Sequence, residues 1–93
     1  MESAYLFYLY QKIYKSLTNV NWELRGYKII SIDPDTNSLI LQKKKYYFKK
    51  YFFEVKISPS NKNITLLSVR EINTNQPQLD GEKKLINEIL RLF

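Results

Sequence analysis

The chain has 93 residues, no cysteine, no histidine and a net charge of +6, with lysine supplying most of the excess. That length holds one domain around one core. The missing side chains exclude disulfides, thiolate metal sites and the commonest acid–base group for work near neutral pH. The positive excess points to an anionic partner, such as nucleic acid, an acidic or nucleic-acid-handling protein or a membrane surface, or else to a solubilising surface.

Taken in order, residues 3–18 carry apolar side chains at helical spacing. Leu6, Phe7, Leu9, Tyr10, Ile13, Tyr14 and Leu17 share one arc of roughly 160°, with Gln11, Lys12, Lys15 and Ser16 opposite. Ser3 is the expected N-cap, and Asn19 the residue that closes the helix in a left-handed conformation. Residues 20–32 read as a first strand, with Gly26 marking a bulge where the preferred face switches. Asp33-Pro34-Asp35-Thr36-Asn37 has the chemistry of a tight turn: Asp before Pro, then an Asn that tolerates positive φ. It predicts a hairpin into a strand that begins at Ser38. Ile57 to Ile64 repeats the arrangement around Pro59 and predicts a second hairpin of the same type. A last strand follows over Ile64 to Ile72. After a polar loop, Asp80 is the expected N-cap of a helix over 81–93. There Leu85, Ile86, Ile89, Leu90, Leu92 and Phe93 fill one arc, and the last two residues are expected to dock.

Between the hairpins lies KKKYYFKKYFF, Lys43 to Phe53, built only of lysines and aromatic rings. A single strand from Leu39 to Ile57 would run about 60 Å at ~3.3 Å per residue. A compact domain of this length is expected to be only about half as wide. The chain must therefore turn near Lys44 to Lys49, although no usual turn residue is present. Beyond the turn, Tyr51, Phe53, Val55 and Ile57 alternate onto one face, with Phe52, Glu54 and Lys56 on the other. The expected fold is α+β, one domain of order αββββα, with both helices on one face of a four-stranded antiparallel sheet.

No catalytic constellation emerges. The carboxylates are scattered, and Glu54 and Glu71 could pair with Arg70 or Lys56 across strands more simply than bind a metal. The two glycines form no phosphate-cradling loop, and neither cofactor nor metal is expected. The apolar run near the start is short of the ~20 residues a membrane span needs. Glu2 stands where a leader peptide carries positive charge, so a cytoplasmic protein without membrane contact is expected. The chemistry of the Lys/aromatic run suits binding. Lys43, Lys44, Lys45, Lys49 and Lys50 can neutralise phosphates, and Tyr46 and Tyr47 can stack on unpaired bases. Two alternatives account for the same residues. The rings could form a hot spot for a protein partner or a second copy of the chain, or the lysines could guard a bare strand against aggregation.

Overall fold

The computed structural model describes residues 1–45, 49–61, 63–73 and 80–93. In chain order the elements are β1 (Glu2–Leu6), α1 (Tyr10–Asn19), a 3₁₀ turn (Trp22–Arg25), β2 (Tyr27–Asp33), β3 (Ser38–Lys45), β4 (Lys49–Asn61), β5 (Ile64–Ile72) and α2 (Gly81–Leu90). They form one α+β domain whose five strands run antiparallel in the order β1-β5-β4-β3-β2. The expected four-stranded αββββα order is therefore corrected: a strand comes first.

That correction falls on the first helix. Leu6 faces the core whether residues 2–6 are helical or extended, so the helical wheel could not separate the two. The outer edge of β5 decides it. Its backbone groups need partners, and β1 supplies them, with Ser3 opposite Ser68 and Leu6 opposite Thr65. The Thr65 hydroxyl donates to the Tyr8 carbonyl at 2.7 Å and pins the bend between β1 and α1. Ser3 is thus not a cap. Leu9 holds the N-cap position with extended backbone, and the chain leaves α1 through an extended Val20 rather than a left-handed Asn19.

The expected strand over 20–32 is likewise corrected at its start. Trp22 is buried, and its indole N–H donates to the Leu17 carbonyl at 2.9 Å. Leu17 lies in the last turn of α1, where carbonyls lack helical partners. The indole satisfies one of them and draws the chain into a 3₁₀ turn. Gly26 closes that turn with φ of 85°. An added Cβ there would meet nothing within 4 Å, so the left-handed backbone, not crowding, is what calls for glycine. The bulge lies further on: the register slips between Ile29 and Ser31, leaving Ile30 as the extra residue on an edge strand.

The first hairpin follows expectation. Asp33 pairs with Ser38, the Asp33 carboxylate accepts from the Asp35 N–H at 3.0 Å, and Asn37 has φ of 51°. The second differs in length. Its strands continue through Pro59, opposite Thr65, to the pair Asn61 and Ile64, with a register slip between Pro59 and Asn61. Proline, lacking an N–H, sits at that irregularity rather than in the turn. The two hairpins share only a side-chain acceptor, since Asn61 accepts from the Asn63 N–H at 3.0 Å. Asn37 is the sensitive position. Asn37→Val puts a β-branched side chain in the left-handed region and should lower stability by about 1–2 kcal/mol. Pro34→Ala should cost well under ~1 kcal/mol. Urea unfolding followed by circular dichroism measures both, and equal tolerance at the two sites would contradict this turn.

Along β4, Phe53, Val55 and Ile57 are fully buried, as alternation requires. They pack with Leu39 and Leu41 of β3, Leu67 and Val69 of β5, Ile13 and Leu17 of α1, and Leu85, Ile86 and Ile89 of α2. Both helices thus cover one face. The other face stays open and carries Ser3, Ser68 and Lys56 in one cross-strand row, with Arg70 and Glu54 in the next. Thirteen residues make β4 the longest strand. At ~3.3 Å each it spans about 43 Å, matching the 42 Å long axis of a molecule only about 25 Å across.

Asp80 does not cap α2; its φ is 64° and its side chain makes no capping bond. Glu82, in the first turn, instead accepts from the Glu71 N–H at 2.7 Å and lies 3.0 Å from the Met1 amino group. Partial burial pushes the Glu82 carboxyl up, but the Glu71 N–H, the amino group and Arg70 outweigh it and hold the group below its ordinary range. Helix α2 ends at Leu90 rather than running to residue 93. Leu92 and Phe93 fold back onto the core, with the Phe93 ring 5.5 Å from that of Tyr8.

Candidate nucleic-acid interface

The strands do not end together. The last pair between β4 and β5 is Phe52 with Ile72, and β2 first meets β3 at Tyr27 opposite Lys43. Beyond those pairs β3 and β4 continue alone as a two-stranded ribbon, in which Lys44 stands opposite Lys50 and Lys45 opposite Lys49. The chain reverses between positions 45 and 49, inside the interval expected from the length argument. Tyr46 and Tyr47, the expected contact rings, lie outside the described residues.

Alternation divides the lysines. Lys44 and Lys50 are exposed and share the open face with Gln42 and Phe52. Lys43 and Lys49 share the helix side with Tyr51, where Lys43 is half-buried and its ammonium lies 5.3 Å from the centre of the Tyr27 ring. Lys28, opposite Gln42, extends the charge of the open face across to β2. Among the described residues, the ion pairs use arginines and the Met1 amino group and no lysine. Among the described residues, the ribbon's lysines thus project without forming an ion pair. The sequence placed these lysines together in one stretch. The fold adds Lys28, Arg25, Lys84 and Arg91, which no spacing in the sequence connects.

At the root of the ribbon, Trp22, Tyr27 and Phe53 form a chain of edge-on rings with centroids 6.0 and 6.4 Å apart. Burial first, and the carboxylate of Glu88 second, push the Tyr27 phenol up to about 12 from its ordinary value near 10. The unfolded chain therefore loses this proton before the folded one. Stability from this group is intact below pH 10 and declines as pH rises from about 10 towards 12. Tyr27→Phe keeps the ring and removes the titration, so its stability should fall less than that of the parent over that window. Urea midpoints at pH 9, 10 and 11 check this, and parallel declines would contradict it.

One other arrangement was legible as a candidate. Glu54 and Glu71 stand on opposite faces of the sheet, Glu54 at 3.3 Å from Arg70 and Glu71 on the core side opposite Phe53, so they cannot share an ion. Among the described residues no group of three potential metal ligands comes together, and no helix is long and apolar enough to cross a membrane. Exposed rings do occur elsewhere. Tyr5 and Phe7, with Leu9, are open to solvent around the bend after β1. Leu6 is linked through Thr65 to Pro59. That places this patch ten residues along β4 from Lys49, about 33 Å away. Compared with models of known families and with curated proteins, the sequence matches none.

Proposed function

We propose that this chain binds nucleic acid without catalysing a reaction, in the cytoplasm, using the lysine ribbon as its contact surface. The observation that carries the proposal is the ribbon's ladder of like charges. Like charges directly opposite each other destabilise a strand pair, by a few tenths to about 1 kcal/mol. Guarding the bare edges of the ribbon accounts for lysine on each strand, and the resulting ladder also presents paired cations to a polyanion. A polyanion lying along the ribbon removes the repulsion and releases its own counterions. The dimensions agree, since two strands spaced about 4.8 Å apart enter a major groove of about 12 Å. Lysines on phosphates position a protein without reading sequence, so binding should be broadly indifferent to base order. The test is direct titration of labelled single-stranded and duplex oligonucleotides at low salt. Binding that weakens steeply with salt supports the proposal, and absence of binding at low salt overturns it.

A second reading has its own observation. The described exposed rings, Tyr5 and Phe7, sit far from the ribbon lysines and near exposed Leu9 at the bend after β1. Apolar and tyrosine-rich surfaces of this kind favour a protein partner or a second copy of the chain. Under that reading the ribbon keeps the molecule soluble, and the contact lies at the opposite end of the sheet.

A further inference from the structure

Where the ribbon joins the domain, α2 and the 3₁₀ turn close a cleft of about 220 Å³ against β2 and β3. Its walls carry Arg25, Lys43, Lys84 and Arg91 together with one carboxylate, Glu88, and the ring of Tyr27. These residues come from four elements and are far apart in sequence. Glu88 accepts from Arg25 at 3.0 Å and from Arg91 at 3.3 Å, so one acid orients both guanidiniums. Lys43 and Lys84 take part in no ion pair among the described residues. Four cations face a single carboxylate, and the surplus is compact. The Tyr27 hydroxyl keeps its proton across the physiological range and adds no charge.

We propose that this cleft binds the terminal phosphate of a nucleic-acid strand whose chain then runs out along the ribbon. The inference rests on the nucleic-acid reading for the identity of its ligand. Guanidinium groups held by a carboxylate keep N–H donors for a second oxyanion and match phosphate geometry. A terminal phosphomonoester carries nearly two negative charges near neutral pH, against one for an internal diester, and answers the surplus better. It also needs only one exit for its chain. The cleft is walled by α2 on one side and by β2 and β3 on the other, and Lys43 links it to Lys49, on the same face of the ribbon.

The experiment compares single-stranded oligonucleotides of one sequence bearing a 5′-phosphate, a 3′-phosphate or hydroxyl at both ends. Wild-type protein should bind one phosphate-ended strand about tenfold more tightly than the hydroxyl-ended strand. Lys84→Gln with Arg91→Gln, both exposed positions, should bring that ratio to about one. Lys44→Gln with Lys50→Gln should weaken every strand and leave the ratio standing. Equal affinity of wild-type protein for all three strands overturns the inference while leaving the ribbon reading intact. A ratio that survives the Lys84/Arg91 variant also overturns it. Failure to bind any strand overturns both.

Discussion

Phe53→Ala is expected to lower stability by about 3–5 kcal/mol, the range for deleting a large buried ring. Phe53 is fully buried in the central strand, edge-on to Tyr27, in a core that both helices share. Domains of this size hold only some 5–15 kcal/mol in all, so the loss amounts to a large part of the total. At roughly 4–8 °C per kcal/mol, the melting temperature should fall by more than about 12 °C, or the chain should fail to fold. Its neighbour supplies the control. Phe52 points to the open face, is only half-buried and pairs with Ile72, so Phe52→Ala should cost about 1 kcal/mol or less. The single tryptophan, Trp22, packs against Tyr27, so its fluorescence in a urea titration follows this part of the core. Similar losses at 52 and 53 would mean that β4 does not alternate as described.

These adjacent positions also show why some of the fold was legible in the sequence. From Tyr51 to Ile57 and from Ile64 to Ile72 the chain alternates cleanly, because β4 and β5 lie between other strands with one face packed and one open. The turn at Asp33 to Asn37 was legible because its residues act locally: a carboxylate accepting an N–H two residues on, and an Asn at positive φ. The opening residues were not, because their conformation is settled at a distance. Ser3, Tyr5 and Leu6 extend because β5 has an edge to be paired, and that edge is some sixty residues away in sequence. Trp22 likewise looked like a strand residue until its indole found the end of α1. At the site the same division holds. The ribbon lysines are contiguous and could be named from sequence, whereas the cleft unites Arg25, Lys43, Lys84 and Arg91 only through packing.

Replacing Lys43, Lys45 and Lys49 with Gln is expected to change the salt dependence of nucleic-acid binding more than any other surface substitution. Each phosphate neutralised contributes about −0.7 on single strands and −0.9 on duplex to the slope of log K against log salt. Loss of three contacts should flatten that slope by roughly 2 to 3 units. Tyr46→Ala or Tyr47→Ala should instead cost about 1–3 kcal/mol at every salt concentration, chiefly on single strands, since stacking releases no counterions. Lys44→Gln with Lys50→Gln tests the ladder itself. Both lysines are exposed, and they face each other across the ribbon. Removing them should leave the unfolding midpoint unchanged or raise stability by up to about 1 kcal/mol, while binding weakens. Opposite effects on stability and affinity are what a surface selected for contact produces; a surface serving only the fold would lose stability with its lysines. Affinity measured between 50 and 300 mM salt, beside urea midpoints for the same variants, separates the two. An unchanged slope in the triple variant would remove the phosphate role of the ribbon, and a lower midpoint in the double variant would make these lysines structural.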